Sequence, residues 1–430
     1  MTDHMEKDLR HVWHPYTDMN QFEERPFPVM EGAKGVTLTD TEGRKYLDGI
    51  SSWWCVNLGH GHPDIVNSIA LQLDRLQHSI TGGMSHTGVA ELSETLSEIT
   101  PPGLNRFYYA SDGASAVEAA IRMAIQYWWN LGNPRKREII SLEGAYHGDT
   151  LGTVGLGFLP GFHRPVAHVV NRSPQAPAPR CFNCPFGLSR GSCSIECFQW
   201  MEELLEERAE HTAAVIAEPV CQGAAGIRIY PPEYVAALKK LCRRLGVLLI
   251  LDEIAVGFGR TGKMFASDMA GISPDILVMG KSLTGGYLPM SAAGVTEEIF
   301  QSFRSSGGVD RTFYHGHTFS GNPLACAAAL GAVRVFRREG IPSPGKALED
   351  GFRSLGGIPG VHRAGTLGWM GRLEIEKRAG GAGTAAAVAE KSLEKGSLYG
   401  PSAPFSTFGP PWSPPGPNLR KCLVYSGIHC

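Results

Sequence analysis

An α/β architecture built on a mostly parallel sheet is what this 430-residue chain predicts, and three observations carry the prediction. Short apolar runs alternate with helix-length stretches through the middle of the chain, the pattern of strands joined by crossover helices. Two of those runs end in chemistry: Val247-Leu248-Leu249-Ile250-Leu251 runs into Asp252-Glu253, and Asp275-Ile276-Leu277-Val278-Met279-Gly280 runs into Lys281. A long helix is expected over residues 114–129, where Val117, Ala120, Ile121, Ala124, Ile125 and Trp128 recur close to helical spacing.

Composition sets the bounds. With 43% hydrophobic and 19% charged residues there is ample material for a large core, and nothing in a formal net charge of −2 points to nucleic acid or an anionic membrane as partner. No apolar run approaches the roughly 18 residues of a membrane span, and the charged first residues do not read as a secretion signal. A cytoplasmic enzyme of two or three structural units is expected.

Taken in order, the first element is a hairpin, with Gly35-Val36-Thr37-Leu38-Thr39-Asp40 and Lys45-Tyr46-Leu47-Asp48 flanking a polar turn. It belongs to a smaller α+β unit made of residues 1–60 and 329–430, around a large domain at 61–328. Ser111-Asp112-Gly113-Ala114-Ser115 then opens the long helix. Free amides at a helix start, next to small residues, suit a phosphate. Between glycines, Glu143-Gly144-Ala145-Tyr146-His147-Gly148-Asp149-Thr150 offers an aromatic face to a planar ring.

Residues 173–199 form a Pro-rich insertion holding Cys181-x-x-Cys184 and Cys193-x-x-x-Cys197. Thiolates from two loops can converge on zinc, yet the second pair is wider spaced and no regular element frames it. A surface insertion with reduced thiols and no metal is the expectation.

Lys281 and Asp252 decide the chemistry. Parallel strands put ligands at their C-terminal ends, so an amine and a carboxylate meet there. Pyridoxal phosphate needs this pair: the amine forms a Schiff base with its aldehyde, and the acid keeps its ring nitrogen protonated.

The motifs Gly144-Ala145-Tyr146-His147-Gly148, Glu218-Pro219, Asp252-Glu253 with Gly257-Phe258-Gly259-Arg260-Thr261-Gly262, Gly280-Lys281, and His317-Thr318-Phe319-Ser320-Gly321-Asn322-Pro323 together resemble the class III, fold-type I pyridoxal-phosphate aminotransferases. The resemblance implies a large domain with a seven-stranded sheet and a homodimer with shared active sites. It implies Lys281 as Schiff-base lysine and proton carrier, Asp252 at the ring nitrogen, and Gly113 and Ala114 at the phosphate. Tyr146 would stack on the ring and border the substrate; Glu218 would lie near the cofactor and Arg260 near the substrate. Gly316, His317 and Thr318 would reach the partner's phosphate. The turn Ser320-Gly321-Asn322-Pro323 is read as structural.

Two N-terminal motifs, Trp13-His14-Pro15-Tyr16 and Ser51-Ser52-Trp53-Trp54, resemble the branch of that family that aminates 8-amino-7-oxononanoate in biotin synthesis. That likeness places Tyr16 and Trp53 in the substrate pocket. It implies S-adenosylmethionine as amino donor, with lysine as the alternative. An aminotransferase for ω-amino acids or diamines, and a cofactor-binding but inactive protein, stay open beside it.

The C-terminus departs from the family from about residue 390. Where members carry Arg-Pro-x-Gly, whose arginine receives the acceptor's carboxylate, residues 396–408 read Gly-Ser-Leu-Tyr-Gly-Pro-Ser-Ala-Pro-Phe-Ser-Thr-Phe. The density of Pro, Gly and Ser predicts coil. Back-translated from Ser397 with permitted codons and shifted by one nucleotide, the stretch reads Phe-Ile-Arg-Pro-Leu-Gly-Pro-Val-Leu-Tyr-Phe, which points to a frameshift near residues 390–397.

Overall fold

The strands Thr212–Ala217, Leu248–Asp252 and Ile276–Met279 are buried at every residue, as strands covered by helices on both faces must be. They occupy the middle of a seven-stranded sheet in the computed structural model, which describes residues 2–341, 344–375, 384–398, 400–402 and 405–408. Its order is Leu104–Ala110, Ser291–Thr296, Ile276–Met279, Leu248–Asp252, Thr212–Ala217, Glu138–Leu142, Gln175–Ala176. Ser291–Thr296 runs antiparallel to both neighbours, and the other pairings are parallel. The expected mostly parallel sheet is therefore present.

The long helix spans Gly113–Asn130 and buries Ala116, Val117, Ala119, Ala120, Met123, Ala124 and Tyr127 on one face. On the other side of the sheet the alanine-rich helix Pro323–Glu339 crosses Pro63–Leu73 closely. A Cβ on Gly331 would lie 3.0 Å from Ile65 Cα, so glycine permits the crossing. Asn322 caps this helix by accepting from Leu324 N at 3.0 Å and Ala325 N at 3.2 Å, the structural role read for its turn.

Two further sheets have four strands each. In one, the hairpin Thr37–Asp40 and Lys45–Asp48 is flanked by Met30–Lys34 and, parallel to Lys45–Asp48, by Ser397–Leu398. The other takes the order Val361–Leu367, Met370–Ile375, Phe405–Phe408, Gly400–Ser402. The coil expected over 396–408 is thus corrected to three short strands. Phe405, Ser406 and Thr407 pair with Glu374, Leu373 and Arg372, while Pro401 sits in the edge strand, the position within a sheet where proline is tolerated. Tyr399, Ala403, Pro404 and the rest of the altered tail, 409–430, lie outside the described residues. Among the described residues no helix is long and apolar enough to cross a membrane.

Candidate active site

Parallel pairing sets Asp252 opposite Val278, so the acid and Lys281 leave adjacent strands at the same end of the sheet. Strand alternation then separates the two acids. Asp252 Oδ2 meets His147 Nδ1 at 2.8 Å, and its Oδ1 accepts from Ile254 N at 3.1 Å. Glu253 turns the other way, where its carboxylate accepts from the amides of Ala266 and Ser267. Burial pushes its pKa up to about 7, and its work is to hold that turn.

The helix Gly113–Asn130 begins at the same place. Asp112 caps it, accepting from Ser115 N at 2.9 Å and Ser115 Oγ at 2.7 Å. The amides of Gly113 and Ala114 belong to the first turn, whose N–H groups have no acceptor within the helix. Both flanks are tight. A Cβ on Gly113 would stand 2.9 Å from Ile254 Cδ1, and one on Gly148, where φ is +124°, would stand 2.8 Å from Ala114 Cα.

Tyr146 is fixed at both ends. Its backbone N–H donates to Glu218 Oε1 at 3.1 Å, and its hydroxyl donates to Asp149 Oδ2 at 2.7 Å. Glu218 also accepts from Gly223 N at 2.8 Å; burial, then the nearby Asp252 charge, raises its pKa to about 7, with His147 opposing. Tyr16 donates its hydroxyl to the same Asp149 carboxylate and meets Trp53 edge-on, ring centroids 5.8 Å apart. Burial and the shared carboxylate raise the pKa of both tyrosines, so they act as neutral donors. Tyr16, Trp53, Trp54, Tyr146, Asp149 and Lys281 line one cavity of 2490 Å³. Because Tyr16 is 61% and Trp53 54% exposed, they wall this cavity instead of filling the core.

The backbone around the cavity is strained. Ser51, Ser52, Trp53 and Trp54 all have positive φ, between 44° and 68°, and form a left-handed turn without glycine; Tyr16 has φ 54° and Lys281 φ 41°. Each such residue costs roughly 1–2 kcal/mol, so the turn requires outside support. Asp48 accepts from Ser52 N at 2.9 Å and Ser52 Oγ at 2.8 Å. Arg260 donates to Ser51 Oγ at 3.3 Å and to the Trp54 carbonyl at 3.2 Å, and Ser282 Oγ donates to that same carbonyl at 3.1 Å. The Lys281 amine stands 5.8 Å from the Trp54 ring centroid.

Gly316, His317 and Thr318 are not brought to this cavity within one chain. Their loop runs along the helix Gly113–Asn130, where Arg122 bonds His315 at 3.0 Å and Gln126 bonds the carbonyl of Thr312 at 3.1 Å; Gly316 and Thr318 are exposed. Cys181, Cys184, Cys193 and Cys197 are free thiols, Cys181 exposed and the others half-buried. Burial and the neighbouring thiols push the Cys197 pKa up to about 11. Among the described residues no group of three or more His, Cys, Asp or Glu side chains is placed to hold a metal. Sequence reasoning gave no role to Asp149, Asp48 or Ser282. Asp149 had a signal, three residues after Tyr146 in the same turn; the other two had none.

A family model described as aminotransferase class-III matches residues 19–413. The chain belongs to the class-III aminotransferase family. It is 38% identical over 374 residues to the adenosylmethionine-8-amino-7-oxononanoate aminotransferase of Geobacter sulfurreducens, covering 86% of this chain and 82% of that one. The enzyme of that name from Methanocaldococcus jannaschii is 36% identical over 428 residues, 94% and 93% of the two chains. Its crystal structure superposes with a TM-score of 0.91 at 35% identity, covering 98% and 97%. An omega transaminase of Pseudomonas jessenii in complex with PMP superposes with a TM-score of 0.91 at 26% identity, covering 98% and 96%. This class-III enzyme is a pyridoxal-phosphate-dependent aminotransferase of fold type I.

The residues present fit that cofactor. A carboxylate and an amine face the same sheet end, and a helix start whose first amides have no acceptor within the helix is pressed against them by two glycines that no larger residue could replace without displacement. His147 Nε2 is buried without a partner among the described residues.

Proposed function

We propose that this aminotransferase transfers an amino group from S-adenosylmethionine to the ketone of 8-amino-7-oxononanoate, giving 7,8-diaminononanoate. One observation carries the reading: Tyr16, from the N-terminal Trp13-His14-Pro15-Tyr16 motif, shares the Asp149 carboxylate with Tyr146 in the cavity that holds Lys281. A carboxylate framed by two neutral hydroxyls and an indole suits a cationic, aromatic donor. The Geobacter and Methanocaldococcus relatives carry this reaction in their names.

When bound, pyridoxal phosphate supplies a carbonyl that takes up the amino group and a protonated ring that accommodates the electron pair of a broken C–H bond. The chain does the rest. The first-turn amides of Gly113 and Ala114 would bind the phosphate, and Asp252, steadied by His147, would hold the proton on the ring nitrogen. Lys281 Nζ would anchor the cofactor between turnovers; once freed, it would carry a proton from the donor carbon that bears nitrogen to the cofactor's aldehyde carbon, and in the second half-reaction from there to the ketone carbon of the acceptor. Tyr146 would offer its face to the ring, with Glu218 holding its turn. Trp53 and Tyr16 exclude water from the donor's side, and Arg260 shapes the substrate wall through Ser51 and Trp54. In a homodimer, Gly316, His317 and Thr318 would be the residues to reach the second copy's phosphate.

The test is direct. Purified protein with pyridoxal phosphate and 8-amino-7-oxononanoate is given S-adenosylmethionine or lysine, and diaminononanoate is measured. Product with S-adenosylmethionine is expected. Product with neither donor, beside ready turnover of ω-amino acids, would sink the proposal.

A further inference from the structure

We propose that Ser282 is a positioning residue for the reaction, its hydroxyl fastening the left-handed Ser51–Trp54 turn to the loop that carries Lys281 and so setting where the amine stands. The inference rests on Lys281 as the cofactor lysine and not on which donor or acceptor is used.

Both segments adopt backbone conformations that their residues disfavour, so neither holds its shape alone. Three side chains support the turn: Asp48 through Ser52, Arg260 through Ser51 and Trp54, and Ser282 through Trp54. Of these, Ser282 follows Lys281 directly in the chain and lies in the same single turn of 3-10 helix, Lys281–Thr284. Its bond is therefore a strut between the two strained segments.

The surroundings leave no slack elsewhere. A Cβ on Gly223 would stand 3.1 Å from the Trp54 ring, so the indole is backed by that glycine and cannot retreat. At the far end of the lysine loop, a Cβ on Gly286 would stand 2.7 Å from Val56 Cγ2 and 3.3 Å from the Cys55 carbonyl carbon. With the turn backed and the loop's end packed against Cys55 and Val56, loss of the Ser282 hydroxyl lets Lys281 move. Ser282 is itself 3% exposed, so water does not replace the missing donor.

Three variants and three readouts test this. Ser282→Ala and Ser282→Thr are compared with the unaltered enzyme, and Lys281→Ala serves as control. The readouts are the pH midpoint of the visible absorbance of the lysine-held cofactor, the kcat and KM of the donor half-reaction, and hydrogen exchange of the Trp54, Cys55 and Val56 amides in cofactor-free protein. Those amides bond to the carbonyls of Ile50 and Ser51, so their protection reports the turn.

Ser282→Ala is expected to move the midpoint by about half a pH unit or more, to lower kcat about tenfold with KM within about twofold, and to speed exchange at residues 54–56. Ser282→Thr, which keeps the hydroxyl, is expected to restore all three. An alanine variant with native midpoint and native exchange overturns the proposal, even if it melts earlier, and so does a threonine variant as impaired as alanine. A visible band surviving in Lys281→Ala overturns the assignment beneath it. None of these readouts uses 8-amino-7-oxononanoate, so failure to aminate that ketone would sink the functional reading and leave the strut standing.

Discussion

Asp252 Oδ2 and His147 Nδ1 lie 2.8 Å apart with both side chains almost wholly buried. A buried carboxylate needs hydrogen-bonding partners to offset its lost hydration, and His147 supplies one to Asp252. Asp252→Asn is expected to lower kcat about a hundredfold or more, and His147→Ala, which acts through Asp252, about tenfold. Single-turnover kinetics with saturating cofactor measures both; equal losses would show that His147 touches the chemistry itself.

Asp149 collects the hydroxyls of Tyr16 and Tyr146. Replacing its charge in Asp149→Asn is expected to raise the KM of a cationic donor about tenfold while the acceptor's KM stays within about twofold. Steady-state kinetics with each substrate varied in turn separates the two effects.

Gly148 has φ +124° and abuts Ala114 at the helix start. Gly148→Ala is expected to destabilise the fold by about 2–4 kcal/mol and to weaken cofactor binding as the helix start is pushed away. Denaturant unfolding and a cofactor titration check it; a stable variant with native affinity would show the approach to be slack.

Glu218 and Glu253 both have folded pKa values raised to about 7, from an ordinary 4.5, by burial. An acid whose folded pKa is raised holds its proton more tightly in the folded protein, so its stabilising share is full below about 4.5 and is lost as pH climbs to about 7. Melting temperature is expected to fall across that window. Glu253→Gln, away from the cavity, is expected to flatten the slope; an unchanged slope would remove Glu253 as a source.

The acceptor's carboxylate lacks its family arginine in the sequence as it stands. A bidentate arginine contact is among the stronger charge-assisted bonds, so the acceptor's KM is expected to be high. A chain rebuilt with Phe-Ile-Arg-Pro-Leu-Gly in place of residues 397–402 is expected to lower it about tenfold or more. Nucleotide sequence across residues 390–430 tests the frameshift; codons that give no arginine in the shifted frame would dispose of it.

The sheet, the start of the helix at Gly113, and the meeting of Asp252 with Lys281 were legible because apolar runs, a capping aspartate and strand-end polar residues each leave a local mark. The Ser51–Trp54 turn was not. Its left-handed backbone is imposed by Asp48, Arg260 and Ser282, residues scattered along the chain, and no glycine announces it. The strands at 397–408 escaped for a similar reason: Phe405-Ser406-Thr407-Phe408 lacks the alternation of a half-buried strand, and the prolines around it read as breakers until the edge position of Pro401 is known.

Ser397–Leu398 lies beside Lys45–Asp48, with Leu47 N bonded to the Gly396 carbonyl at 2.8 Å and Gly49 N to the Leu398 carbonyl at 2.9 Å. During synthesis on the ribosome the hairpin that ends in Asp48 therefore waits, one edge bare, for the last tenth of the chain. Gly396 and Leu398 line the same cavity as Trp53 and Lys281, so a change that removes this strand opens that cavity's wall, although the two are far apart in the sequence.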